Sequence, residues 1–248
     1  MRAYGDYHTH SQYSHGKGNI EGNIEAAIAR GFQELAITDH GPRSWNFINL
    51  GVKEVAELLE IKKEIKGLQK KYPQIKLLAG VEANIINREG ELDVPEEILG
   101  ELDIVAAGFH LLIYPPDFRS FRDVILNNRF YYKWFPARRK EIRKFNTEVL
   151  IKAVKRYRID FITHPGYGID IDTYELARAC AEQGTFLEIN ARHVEELRAF
   201  IQAAARTDVK FIINSDAHAP EEVGDFQRAI RVVEELGLSP DRIVNIVK

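Results

Sequence analysis

Seven short apolar runs recur along the chain, and most are followed by a stretch with helical spacing. The runs are RAYGDYH (2–8), ELAITDH (34–40), IKLLAGVEA (75–83), DIVAAGFH (103–110), DFITHP (160–165), TFLEIN (185–190) and VKFIINSD (209–216). Most lack strict apolar–polar alternation, as expected of strands buried on both faces. Between them lie helical patterns over 23–31, 52–72, 139–157, 172–184 and 220–237, and a closing one over 239–248. Glycines at 31, 184 and 237 and the proline at 73 mark stops, and Ser239–Pro240 reads as an N-cap followed by a first helical residue.

Strand and helix alternate about seven times, which predicts an α/β fold with a parallel sheet closed, or nearly closed, into a barrel. No G-x-G-x-x-G motif opens the first strand-to-helix turn, which weakens an open dinucleotide-binding sheet. No repeat or Pro/Ser-rich linker divides the chain, so residues 1–248 read as one domain. One segment, 111–140, departs from the alternation. It is long, aromatic and basic, has no clean period, and reads as a functional loop or lid.

Composition narrows the classes. The 248 residues carry a net charge of -3, so no global basic field favours nucleic acid. The single cysteine, Cys180, excludes an internal disulfide framework, fits a reducing cytoplasm, and lies in a helical pattern as a small buried residue. No apolar run is long enough for a membrane span, and no export signal opens the chain.

The histidines change the picture most. Seven of the eight, His8, His10, His15, His40, His110, His164 and His218, fall at or just past the C-terminal ends of these strands. Glu82 and Asp216 fall at strand ends too. In a barrel those ends meet on one face. One histidine at a strand end is ordinarily structural, but seven have no reason to choose the same end independently. Imidazoles and carboxylates gathered without a partner would repel or lack hydrogen bonds, and metal ions solve both problems. Nitrogen and oxygen donors without thiolate suit zinc, manganese or iron, and so many of them imply a cluster. Glu82, Asp216 and Asp39 are the candidate catalytic carboxylates, with Asp39 read as orienting its neighbour His40. Arg43, Arg192 and His193 are candidates to touch substrate; for His193 the alternative is a helix start.

DYHTHSQYSHG, AITDHG, AGVEAN, AGFH, THPG, EIN and NSDAH, in this order from Asp6 to His218, resemble the motifs of the PHP (polymerase and histidinol phosphatase) superfamily, and ITDHGPRSWNFIN resembles its stand-alone YcdX-like branch. The resemblance implies a distorted seven-stranded barrel of TIM type with three metal ions. His8, His10, Glu82 and Asp216 would hold the first, His15, His40 and His218 the second, and Glu82, His110 and His164 the third, with Glu82 as a bridge. The implied activity is hydrolysis of a small-molecule phosphate monoester by attack of a metal-bridging hydroxide. The rivals are a nuclease or nucleotide phosphatase using the basic and aromatic residues of 119–144, a histidinol-phosphate phosphatase, and a non-catalytic metal-binding module. A small phosphorylated molecule is the expected partner, with no membrane and nucleic acid not favoured.

Overall fold

A computed structural model describes residues 1–247. Seven strands, β1 (Gly5–Asp6), β2 (Glu34–Ile37), β3 (Lys76–Asn84), β4 (Ile104–Gly108), β5 (Phe161–Ile162), β6 (Phe186–Asn190) and β7 (Phe211–Asn214), form one sheet in sequential order. Every pair is parallel. Helices α1 (Ile20–Ala29), α2 (Val55–Lys71), α3 (Glu96–Leu99), α4 (Phe118–Ser120), α5 (Tyr132–Trp134), α6 (Arg139–Arg156), α7 (Thr173–Gln183), α8 (Val194–Ala204) and α9 (Gln227–Glu235) fill the connections. The sheet nearly closes: Thr9 bridges Ala217, and His10 N–H donates to the Ala217 carbonyl at 2.8 Å. Below that seam Asn245 wedges between the edge strands. Its side chain accepts from Ile213 N–H and donates to the carbonyls of Gly5 and Ile213.

Strand parity explains why the runs look continuously apolar. Leu35, Ile37, Leu77, Ala79, Val81, Val105, Ala107, Leu187, Ile189, Phe211 and Ile213 join the large core beneath the helices. The alternate positions Ala36, Leu78, Ala106, Phe161 and Ile212 form, with Tyr7, a separate small cluster inside the barrel. Continuing that parity toward the C-terminal ends reaches Glu82, Glu188 and Asn214, all buried. In β3, β6 and β7 one face is thus apolar throughout, and the other changes from apolar to polar toward the C-terminal end.

Three expectations need correction. The final helix does not form: a single 3-10 turn covers Pro240–Arg242, and the chain then pairs with β7 and residue 3. The Ser239 side chain makes no capping bond, and Lys248 lies outside the described residues. The helix read from 220 begins at Gln227, because Gly224 turns the chain at φ 75° against the ring of Phe32. The segment 111–140 is mostly helical, with a π-helix, Phe121–Tyr131, joining α4 to α5. Its i→i+5 bonds widen the turn, so a 3.6-residue period is absent.

Candidate metal centre

The C-terminal ends of the strands bring all nine candidate ligands to one place. The loop after β1 carries His8, His10 and His15, and the ends of β2 and β3 supply His40 and Glu82, which pair as an isolated bridge. His110 follows β4, His164 follows β5, and Asp216 and His218 follow β7. Glu82 is central. Its Oε2 lies 3.1 Å from His8 Nε2, 3.6 Å from His10 Nε2 and 2.9 Å from His40 Nδ1. Its Oε1 lies 3.1 Å from both His110 Nε2 and His164 Nε2. Asp216 Oδ1 is 3.6 Å from His8 Nε2, 3.3 Å from His10 Nε2 and 3.6 Å from His218 Nδ1. Four overlapping groups have donor atoms within 4.8 Å of one another: His8/His10/Glu82, His10/His15/His40, His10/Asp216/His218 and His40/Glu82/His110.

The tautomers fit ligation. His8 Nδ1 donates to Glu188 at 2.7 Å, His110 Nδ1 to Asn84 at 2.7 Å, His15 Nδ1 to the Leu50 carbonyl at 3.2 Å and His218 Nδ1 to the Asp216 carbonyl at 2.8 Å. Each such bond leaves Nε2 as a lone pair, which is how protein acceptors prepare histidine for a metal. Nε2 atoms then approach one another closely: His8 and His10 at 3.2 Å, His110 and His164 at 3.4 Å. His10 Nδ1, His40 Nδ1 and Glu82 Oε2 are buried without a hydrogen-bond partner. Cations held between these atoms would satisfy them, and the oxygen and nitrogen donor set suits zinc, manganese or iron.

Charge agrees with this. Burial raises Glu82 and Asp216, but the surrounding histidines outweigh it and hold both well below the usual carboxylate range. Burial pushes His10 well below its ordinary value, His15 down to about 3 and His110 down to about 4. The carboxylates are therefore ionised and these imidazoles neutral at neutral pH, the states a ligand needs. His8 goes the other way: burial lowers it, but Glu188, Glu82 and Asp216 together raise it well above. A metal cation at Nε2 would replace that proton.

Backbone strain marks the same place. His164 has φ 26° and Asp216 φ 57°, both unusual without glycine. Glu188 Oε2 holds the first by accepting His164 N–H at 2.7 Å.

Sequence reasoning did not assign Glu188. It bonds His8 and His164 and is itself oriented by Asn190 and Asn214, each at 2.9 Å. A lone acid inside the apolar run FLEIN was the available signal. Asn84 was likewise unassigned. Its amide nitrogen donates to Asp93 Oδ2 at 2.6 Å, which turns its oxygen toward His110.

The remaining candidates separate. Asp39 is occupied elsewhere: Oδ1 accepts from Ser11 N–H at 2.7 Å and Ser14 Oγ at 2.5 Å, and Oδ2 from Ser11 Oγ at 2.6 Å. It pins the loop bearing His10 and His15 and does not reach the centre as a catalytic group. Arg43 is also displaced, donating to the Tyr114 carbonyl at 3.1 Å. Arg192 and His193 line a cavity of about 430 Å³ above the centre. Arg192 Nη1 lies 2.9 Å from Glu222 and 3.3 Å from the Asp216 carbonyl. His193 Nε2 is 3.8 Å from Asp216 Oδ2, and the residue is also the N-cap position of α8. A hollow of similar size, about 440 Å³, lies at the opposite end beside 154–160 and 183–186, away from all these groups.

The basic residues of the insertion are largely engaged within the chain. Arg122 pairs with Asp123, Arg143 with Asp170 and Asp172, and Lys144 with Glu148. Arg129, Lys133, Arg138 and Arg139 lie over Trp45, Trp134, Tyr131 and Tyr132. The insertion reaches the site through Leu111 and Leu112, part of the cavity lining, and Trp45 Nε1 donates to the Ile113 carbonyl.

A parallel barrel with a histidine- and carboxylate-rich centre at its strand ends defines a metal-dependent hydrolase class. The chain matches the PHP domain over residues 6–215 and belongs to that family. It is 32% identical over 97% of its length to a probable phosphatase of Shewanella sp. (strain ANA-3), covering 86% of that protein. It is 33% identical over 99% of its length to a probable phosphatase of Thermoanaerobacter sp. (strain X514), covering 91% of it. By structure it resembles histidinol phosphate phosphatase from Lactococcus lactis subsp. lactis Il1403, solved with zinc, L-histidinol and phosphate. The TM-score is 0.66 at 18% identity, covering 96% of this chain and 95% of that one, a likeness of fold. With these relatives, the chain is a metal-dependent phosphatase, a hydrolase of phosphate esters.

Proposed function

We propose that the chain hydrolyses a small-molecule phosphate monoester at a centre of three divalent ions. His8, His10, Glu82 and Asp216 would hold the first, His15, His40 and His218 the second, and Glu82, His110 and His164 the third. The observation that carries this reading is the set of Nε2 atoms turned inward by bonds at Nδ1, around a carboxylate whose Oε2 is buried and unpartnered. Bound ions would supply charge to polarise the phosphoryl oxygens and to lower the pKa of water near neutrality.

The chain's own residues do the rest. Glu82 and Asp216 stay ionised and fix the spacing of the centre. Glu188 and Asn84 hold His8 and His110 in one tautomer. Arg192 places a cation at the cavity wall, where it orients the phosphate by charge. Leu50, Phe109, Leu111 and Leu112 line the same cavity and limit water around the ester.

The test is phosphate release from a panel of phosphate monoesters by chelated protein restored separately with zinc, manganese or iron. Hydrolysis that appears with metal and is abolished by Glu82→Gln is the expected result. A protein that binds three ions yet releases phosphate from no ester would contradict it.

A further inference from the structure

The cavity lining divides by chemistry. The floor is the metal centre. Leu50, Phe109, Leu111, Leu112 and Tyr167 supply an apolar portion, and the lining carboxylates are Glu82 and Asp216, both in the centre. Tyr167 stands apart from the core aromatics. It is 38% exposed, yet its ring lies on that of His193 with centroids 3.7 Å apart and planes at 22°. The loop holds it there. Tyr167 N–H donates to the His164 carbonyl at 2.9 Å. Gly166 before it has φ 94°, and a Cβ there would meet the ring of Phe200 at 2.7 Å, so this turn requires glycine. His193 in turn lies 3.8 Å from Asp216, which ties the stacked pair to the centre.

Resting on the phosphatase reading above, we propose that Tyr167, laid on His193, is a stacking platform for a planar, uncharged leaving group, so that the substrates are phosphate monoesters of aromatic alcohols. An exposed ring backed by a second ring offers a rigid π-face at little entropic cost. Among the described residues the only lining carboxylates, Glu82 and Asp216, belong to the centre, so an ammonium on the leaving group finds no ion-pair partner there. The reaction balances as hydrolysis. The oxygen of water bonds to phosphorus and gives up a proton, the phosphorus–oxygen bond to the aryl group breaks with its electron pair on oxygen, that oxygen takes up a proton, and the products are the aryl alcohol and inorganic phosphate.

The test is calorimetric binding of three non-hydrolysable probes to the metal-loaded protein: phenylphosphonate, methylphosphonate and 2-aminoethylphosphonate. The wild type should bind the phenyl compound about fivefold or more tightly than the methyl one, as an aromatic pair warrants. Tyr167→Phe should keep that ratio, and Tyr167→Ala should cut it below about twofold. The amino compound should bind less tightly than the phenyl one. No phenyl preference in the wild type, a preference that survives Tyr167→Ala, binding of the amino compound as tight as that of the phenyl one, or no binding at all would each overturn the platform. Phosphate release from phenyl phosphate is measured in parallel. Its absence, along with that from every other ester, sinks the phosphatase reading, while the phosphonate ratios still decide the role of Tyr167.

Discussion

The two ends of the barrel interior are built on the same seven strands and do opposite work. At the lower end Ala36, Leu78, Ala106, Phe161 and Ile212 meet as an apolar plug, sealed at the seam by Asn245. At the upper end the same inward parity carries Glu82, Glu188 and Asn214, surrounded by histidines. The lower end gains stability from burial. The upper end concentrates the buried carboxylates Glu82, Glu188 and Asp216, two strained backbone residues and buried nitrogens without protein partners. The difference teaches where stability was available to be spent: a well-packed lower half tolerates an upper half that is favourable only with cations present.

The sharpest way to break this contrast is at Glu82. Glu82→Gln removes a negative charge from the point where five imidazoles converge. Metal content should fall and turnover should drop by orders of magnitude, as read by elemental analysis and phosphate release. Full metal stoichiometry with near-normal rate would remove its bridging role. Glu188 gives the next largest effect. Glu188→Gln weakens the acceptor for His8 Nδ1–H and His164 N–H while keeping the side chain's shape. Metal affinity should fall about 10–100-fold, as for other residues that orient ligating histidines. An unchanged affinity in a chelator competition would show that Glu188 only packs.

The lower end should respond in the opposite way. Phe161→Ala should cost about 3–5 kcal/mol of stability, a drop in Tm of about 10 °C, with metal stoichiometry unchanged in the folded protein. Loss of metal from the folded variant would erase the division between the ends. The smallest contrast is between the two arginines. Arg192→Ala should raise KM for the phosphate ester about tenfold, by loss of a charge-assisted contact, whereas Arg43→Ala, away from the cavity, should change KM less than about twofold. Equal effects would mean that the cavity wall is misassigned.

The barrel was legible because its strands and helices alternate so regularly, and the cluster of nine candidate ligands because histidine is rare elsewhere in the chain. What stayed hidden was hidden for physical reasons. The inward parity could not be read where both strand faces are apolar. Glu188 and Asn84 act through hydrogen bonds that join residues 180 and 26 positions apart. Asp39 was misjudged because adjacency to His40 says nothing about which way a carboxylate turns; three donors in the loop after β1 claim it. The π-helix escaped because its repeat matches neither helix nor strand, and the C-terminal segment because tertiary pairing with Ala3 and β7 overrode a helix start signal.

The central claim is that the upper end is a metal site, and acid tests it most directly. Burial depresses His10, His15 and His110, and also His193 and His218, so the unfolded chain binds more protons than the folded one below about pH 6.5. Their contribution is present above that value and is lost as the pH falls toward the folded values of about 4 for His110 and about 3 for His15. His8 and His164, raised by neighbouring carboxylates against burial, act in the opposite sense, leaving five depressed groups against two. Protons and ions also compete for the same nitrogens, which adds to the fall with acid. The measurement is Tm and metal content between pH 5 and 8, with and without chelator. Tm should fall together with metal content on acidification, and chelator at neutral pH should reproduce the fall; a Tm flat across the range and indifferent to chelator would mean that these histidines hold no metal.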